Sequence, residues 1–93
     1  MAQIKSYRKW QFKQKYEKLP PHIRKIADSK FKLFLNNPNH PSFRAGMIEK
    51  TKDWEFPHYE YSITMGYRAT CFKDGDTYVW VFIGTHDEFD RLY

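Results

Sequence analysis

Residues 78–93 read YVWVFIGTHDEFDRLY, and this stretch changes from an apolar run to a group of polar residues. The first six residues are apolar on both alternating faces, which is typical of a strand that is covered on both sides near the middle of a sheet. Gly84 ends this run. Acidic, basic and imidazole groups follow it directly: Thr85, His86, Asp87, Glu88, Asp90 and Arg91. Titratable groups at the end of a buried strand predict a functional site.

The composition indicates a single domain over residues 1–93. A chain of 93 residues can bury one core, and a hydrophobic content of 41% excludes a disordered tail. The one cysteine, Cys71, excludes an internal disulfide and fits a reducing compartment. No apolar run reaches the roughly 18 residues of a membrane span, and the first residues lack a signal-peptide core. We therefore expect a cytoplasmic protein with no membrane partner.

The net charge of +5 is unevenly distributed. Residues 1–50 contain 12 Lys and Arg against 3 Asp and Glu, whereas residues 51–93 contain 4 against 8. The basic half favours a polyanionic partner, such as a nucleic acid or an acidic protein. The alternative is an ordinary solvated lysine surface on helices.

Two helices are predicted in the N-terminal half. Phe12, Tyr16 and Leu19 recur at helical spacing within residues 7–19. The pair Pro20-Pro21 separates that helix from a second one, which has proline in its first turn and ends at Asn36-Asn37-Pro38. The apolar stripe of the second helix comprises Ile23, Ile26, Ala27, Phe31, Phe34 and Leu35. The segment Ala2–Tyr7 is compatible with a short strand before the helices.

From residue 43 onward the apolar period changes to that of strands. Residues 44–50 are compatible with one strand, residues 59–65 and 67–72 alternate between apolar and polar side chains, and residues 77–84 form the last strand. Asp74-Gly75 predicts a tight hairpin between the last two strands. The expected fold is α+β, with an N-terminal helical hairpin packed on a small twisted antiparallel sheet.

This hairpin places Arg68 in the same region as His86. Counting outward from Gly75 puts Arg68 opposite Phe82, near the hairpin end that carries His86. An arginine there is suited to holding a phosphate with two parallel hydrogen bonds. The alternative is a salt bridge to an acidic residue that follows the last strand, namely Asp87, Glu88 or Asp90.

Several other chemistries are not indicated. The chain contains no glycine-rich nucleotide-binding motif, and its four histidines are scattered while its cysteine is single, so neither a bound cofactor nor a metal site is expected. A serine nucleophile lacks the strand–turn–helix motif that it requires.

The sequence resembles the RelE/ParE superfamily of toxins from type II toxin–antitoxin modules. The resemblance rests on LPPHIRKIADSKFKLFLNNPNHPSF, GYRAT and DGDTYVWVFIGTHDEFDRL in this order, and it covers about residues 12–93. It implies two helices packed on a twisted antiparallel sheet. The segment WEFPHYEY at residues 54–61 is longer than the resemblance leads us to expect.

RelE-like members cleave mRNA in the ribosomal A site, and a cognate antitoxin neutralises them. The resemblance thus implies a metal-independent endoribonuclease in which the RNA 2′-hydroxyl attacks the neighbouring phosphate. Arg68 would stabilise the phosphate, His86 would act in acid–base catalysis, and Asp87 would orient His86 or share the proton transfer. The implied RNA-binding residues are Lys50, Lys52, Phe89, Arg91 and Tyr93.

Three functions remain open at this stage. The first is the ribosome-dependent mRNA endonuclease, acting as a monomer or in a toxin–antitoxin hetero-oligomer. The second is a ParE-like inhibitor of DNA gyrase, and the third is an inactive relative that only binds an acidic antitoxin. His86 and Arg68 favour the nuclease, because gyrase inhibition requires no proton-transfer group.

Overall fold

The structure, a computed structural model, describes residues 4–93. Its main elements are β1 (Lys5–Arg8), α1 (Trp10–Glu17), α2 (Pro21–Asn36), β2 (Gly46–Met47), β3 (His58–Thr64), β4 (Tyr67–Asp74), β5 (Thr77–Thr85) and α3 (His86–Leu92). Single turns of 3₁₀ helix lie at Pro41–Phe43 and Glu49–Thr51. The five strands form one sheet in the order β1-β5-β4-β3-β2.

The N-terminal architecture differs from the predicted helical hairpin on an antiparallel sheet, so that prediction is wrong. A strand, β1, precedes both helices and pairs in parallel with β5, with Lys5 opposite Thr77 and Arg8 opposite Trp80. The other strand pairs are antiparallel, so the sheet of this α+β fold is mixed. The strand suggested at Ala2–Tyr7 thus runs over Lys5–Arg8, and residues 2 and 3 of that prediction lie outside the described part of the chain.

The two predicted helices form, with somewhat different ends. α1 ends at Glu17, shortly before the two prolines. α2 begins at Pro21, where proline is tolerated because the backbone N–H groups of a first helical turn have no partner within the helix. The side chains of Ile23, Ala27 and Phe34 on α2 are buried as the stripe predicts. Ile26 and Leu35 of the same stripe are exposed, because the apolar stripe is wider than the contact with the sheet.

The core lies between the two helices and one face of the sheet. Phe34 of α2 is 1% exposed, and its ring packs edge-on against Tyr61 at 5.5 Å and Trp80 at 5.1 Å. Phe12 of α1 also packs against Trp80, with ring centroids 6.2 Å apart. The helices are therefore fixed to β3 and β5 through aromatic contacts, and Phe12 and Phe34 of the two stripes belong to the core.

The hairpin of β4 and β5 positions the end of the sheet. Gly75 has a φ of +62°, which glycine adopts without strain, and the turn places Asp74 opposite Thr77. A register shift follows between Thr70 and Cys71, after which Thr70 pairs with Phe82 and Arg68 with Gly84. The predicted pairing of Arg68 with Phe82 is displaced by two residues toward His86, one from this register shift and one because the turn is centred between Gly75 and Asp76 and not on Gly75.

The face of the sheet opposite α1 and α2, here called the distal face, alternates with the core face along β3 and β4. It carries His58, Glu60, Arg68, Thr70 and Phe72. α3 turns back over this face, because Thr85 and Glu88 form a reciprocal capping box that starts the helix directly after β5. None of the helices in residues 4–93 is long and apolar enough to cross a membrane.

Candidate functional site

Arg68 and His86 lie at the same end of the sheet, as the sequence predicted. Arg68 pairs with Gly84, two residues before His86. The backbone N–H of His86 donates to the carbonyl of Gly66 at 2.8 Å, and Gly66 lies in the turn between β3 and β4. This hydrogen bond fixes the start of α3 beside the turn from which Arg68 emerges.

The guanidinium of Arg68 is largely engaged by its own turn. Its Nη1 donates to the carbonyl oxygens of Thr64 at 2.8 Å and of Met65 and Tyr67 at 3.1 Å. Its Nε lies 3.8 Å from a carboxylate oxygen of Glu60. The ion pair of Arg68 in residues 4–93 is thus with Glu60 on the neighbouring strand rather than with an acid that follows β5.

The His86 imidazole is held by Asp90 rather than by Asp87. His86 Nδ1 lies 3.2 Å from Asp90 Oδ2, one helical turn away, and both side chains are exposed. Asp87 is close by, since ligand atoms of His86, Asp87 and Asp90 all lie within 4.8 Å of one another. One imidazole and two carboxylates are donors that a divalent transition metal accepts. The expectation that the site works without metal is not tested by this geometry and stays a prediction.

Glu88 caps the N-terminus of α3. Its carboxylate accepts from the backbone N–H of Thr85 at 3.0 Å, while the Thr85 hydroxyl accepts from the backbone N–H of Glu88 at 3.1 Å. The N–H of Thr85, together with Lys15 at 3.3 Å, lowers the pKa of Glu88 despite partial burial. A Cβ at position 84 would lie 2.8 Å from Glu88 Oε1 and 2.9 Å from the Phe82 ring, so a larger residue there would displace the capping carboxylate.

The two predicted lysines lie away from His86. Lys50 is part of the 3₁₀ turn Glu49–Thr51 and Lys52 follows it, and both are exposed. This turn is attached to the start of β3, since the hydroxyl of Thr51 accepts from the N–H of His58 at 2.8 Å. Arg68 pairs with Ser62, four residues further along β3, which is roughly 13 Å at the rise of a strand. The structure therefore separates the lysines from the catalytic candidates along the distal face.

Tyr93 connects the two ends of this surface. Its hydroxyl lies 2.7 Å from His58 Nδ1 and 2.9 Å from Thr70 Oγ1. Phe89 packs against the Tyr93 ring at 5.1 Å, and both rings are half-buried. Arg91 is exposed in the last turn of α3. Of the predicted RNA-binding residues, Phe89 and Arg91 therefore lie on α3, and Tyr93 follows it directly.

Sequence reasoning missed His58 and Glu60. The alternating pattern of β3 contains the signal that locates both residues. Tyr59, Tyr61 and Ile63 alternate with His58, Glu60 and Ser62, and because only one set can face the core, the polar set lies on the other face. The spacing of the four histidines argues against His58 as a zinc ligand but says nothing about its place on the sheet. In the fold, its ring stacks on Phe72 at 5.6 Å with an interplanar angle of 19°.

Burial lowers the pKa of His58 below its ordinary value of 6.5. Because the unfolded chain then binds the proton more readily than the native state, unfolding is favoured as the pH falls below about 6.5. We expect the free energy of unfolding to decrease by less than about 1 kcal/mol from this group between about pH 7 and pH 5.

Urea unfolding followed by circular dichroism at several pH values checks this prediction. His58→Gln should show a smaller decrease than the wild type over the same range. His22→Gln, at an exposed position of α2, is the matched control and should follow the wild type. Parallel curves for all three proteins would contradict the assignment.

The fold of this chain is similar to that of a solved toxin structure. No protein-family model and no curated protein matches the sequence. The structure is similar to the crystal structure of a copper-bound mutant toxin from Helicobacter pylori, with a TM-score of 0.63 over 91% of this chain and 97% of that chain. The two sequences are 18% identical, so the likeness shows a shared fold. Membership of the RelE/ParE superfamily stays a prediction from the sequence motifs.

Proposed function

We propose that this chain is the toxin of a type II toxin–antitoxin module and that it cleaves mRNA on the ribosome. Its toxin-like fold supports the first part. The contact that supports the second part most directly is the hydrogen bond of 2.8 Å from His86 N–H to Gly66 O. It holds an exposed imidazole and an arginine at one end of the sheet, which are the groups that cleavage of a phosphodiester requires.

The proposed reaction transfers protons and consumes no co-reactant. A base removes the proton of the RNA 2′-hydroxyl, whose oxygen attacks the adjacent phosphorus and forms a cyclic phosphate. The bond to the 5′-oxygen of the next nucleotide breaks, and that oxygen takes up a proton. His86 serves as one of the two proton-transfer groups, Asp90 orients its ring, and Asp87 lies beside it as the second candidate. Arg68 balances the charge that develops on the phosphate.

The basic helical layer is the proposed surface for the polyanionic partners. α1 and α2 and their connection contain seven cations against the two acids Glu17 and Asp28, and the exposed cations are Lys13, Lys15, Lys18, Lys25 and Lys32. This layer lies on the side of the sheet opposite the distal face. An acidic antitoxin or ribosomal RNA could therefore bind it while the distal face contacts mRNA in the cytoplasm.

A second candidate is an inactive relative that binds only an antitoxin. The three backbone carbonyls around Arg68 favour it, because they already occupy donors that a phosphate would need. Nη2 of Arg68, which makes no hydrogen bond within residues 4–93, is the donor that the nuclease proposal requires.

Primer extension on a defined mRNA in a purified translation system tests the proposal. We expect new cleavage ends with ribosomes, none without them, and the same ends with toxin that was treated with EDTA and desalted before it is added, because the proton transfers use side chains. Ends that are lost with the treated toxin and return when a transition-metal ion is added would instead indicate a metal at His86, Asp87 and Asp90. Intact mRNA with normal translation would contradict the nuclease, and a DNA supercoiling assay would then test gyrase inhibition.

A further inference from the structure

The longer segment at residues 54–61 forms an aromatic surface that the proposed chemistry does not use. Trp54 is 50% exposed, although its ring contacts the His58 ring edge-on at 5.0 Å. Its backbone N–H donates to the carbonyl of Thr51 at 2.9 Å. Trp54 is therefore a large aromatic side chain that is held in place while one side faces solvent, a combination that is typical of contact surfaces.

The loop that carries Trp54 is anchored from inside. Thr51 is fully buried, and its hydroxyl donates to the carbonyl of Ile48 at 2.7 Å and accepts from the N–H of His58 at 2.8 Å. Phe56, two residues after Trp54, packs on Phe72 of the sheet at 5.2 Å. Because these contacts fix the loop, a ligand that binds Trp54 loses little conformational entropy by ordering it.

A continuous row of rings links Trp54 to the candidate catalytic residue. The rings of Trp54, His58, Tyr93, Phe89 and His86 follow one another with centroid separations between 5.0 and 6.2 Å. The row runs from Trp54, shortly after the 3₁₀ turn Glu49–Thr51, to His86 at the start of α3. A strand of RNA whose phosphate lies at His86 can therefore extend along the row toward Trp54.

The charges around Trp54 suit a nucleotide with an amino-bearing base. Lys50 is exposed and makes no ion pair within residues 4–93, so its ammonium is available to a phosphate. Asp53 and Glu55 flank Trp54 and are exposed as well. Carboxylates repel phosphate but accept hydrogen bonds from the amino groups of a base, which favours adenine or guanine over uracil.

We propose that Trp54 stacks on an unpaired purine of the RNA substrate, with Lys50 at the phosphate of that nucleotide. The inference rests on the proposed function, since it extends the same substrate beyond the cleaved bond. Stacking on an exposed aromatic ring tolerates any base, and purines gain more because their rings are larger. Trp54 is thus a binding residue that sets affinity and base preference rather than the chemistry.

Binding of labelled single-stranded oligoadenylate, followed by fluorescence anisotropy at a fixed salt concentration, tests the inference. Trp54→Leu should weaken binding by about tenfold. Oligouridylate should bind the wild type less tightly than oligoadenylate does, and Trp54→Leu should reduce the affinity for oligouridylate by a smaller factor. Trp10→Leu is the matched control and should leave affinity unchanged, because Trp10 is 68% exposed at the first position of α1, before the exposed lysines of the basic helical layer.

The outcomes separate this inference from the proposed function. If Trp54→Leu binds oligoadenylate as the wild type does, or loses no more than Trp10→Leu, the stacking site is overturned even if mRNA is cleaved. If the wild type binds oligoadenylate through Trp54 but cleaves nothing on ribosomes, the nuclease fails and the binding site stands. A Trp54 surface that is instead covered by a protein partner would show oligonucleotide affinity independent of Trp54, and it would also overturn the inference.

Discussion

Replacing His86 by alanine is expected to abolish toxicity while the protein stays folded. The imidazole is exposed and its described polar contact is with Asp90, so the substitution removes a proton-transfer group without opening the core. Loss of a general acid or base slows a reaction by about 10²- to 10⁴-fold, which is enough to suppress growth inhibition. Induced expression in cells, together with single-turnover cleavage on ribosomes, measures both effects.

Arg68 should be tested with two substitutions, because it also holds the turn between β3 and β4. Arg68→Ala is expected to abolish toxicity, but it leaves three carbonyl oxygens without their donor and should lower the free energy of unfolding as well. Arg68→Lys keeps the positive charge but loses the paired N–H donors of the guanidinium. The cleavage rate should therefore fall strongly, while the free energy of unfolding should fall less than in Arg68→Ala.

The controls for this series remove the same side-chain types at two other exposed positions. His22→Ala, on exposed α2, and Arg91→Ala, on exposed α3, remove the same side-chain types away from the turn. We expect His22→Ala to remain toxic and Arg91→Ala to weaken RNA binding without abolishing cleavage. A fully toxic His86→Ala protein would refute the site assignment even if the described fold is correct.

The sequence predicted the local elements well and the long-range pairing less well. α2 and the β4–β5 hairpin carry strong signals, namely a proline start, a 3.6-residue stripe and an Asp-Gly turn. β1 carries no such signal, because its four residues are almost entirely exposed and its pairing with β5 spans both helices. Its parallel direction could not follow from hairpins, which join antiparallel strands only.

The same reasoning explains what was predicted at the site. Arg68 and His86 are connected by a hairpin, so counting residues places them together even though the register shift at Thr70 moves the pairing. Tyr93, by contrast, is brought to His58 and Thr70 by the return of α3 over the distal face. That return depends on the capping box of Thr85 and Glu88, a signal that the sequence contained but that was interpreted as catalytic acidity.

Trp80→Ala is expected to produce the largest loss of stability in this chain. Trp80 is 6% exposed and packs against Phe34 at 5.1 Å and Tyr61 at 5.2 Å, and its Nε1 donates to the hydroxyl of Ser6 at 3.0 Å. Removing the indole opens a cavity where both helices meet the sheet and removes a hydrogen bond to β1. The expected cost is about 3–5 kcal/mol, a large part of the 5–15 kcal/mol that stabilises a typical domain.

Urea unfolding followed by circular dichroism measures this cost without relying on tryptophan fluorescence. Trp10→Ala is the matched control, since an exposed indole should change the free energy of unfolding by no more than about 0.5 kcal/mol. If Trp80→Ala is too unstable to give a native baseline, Trp80→Phe keeps an aromatic ring against Phe34 and should lose about 1–2 kcal/mol. Equal stabilities for Trp80→Ala and Trp10→Ala would mean that Trp80 does not join the helices to the sheet, and the described core would then be wrong.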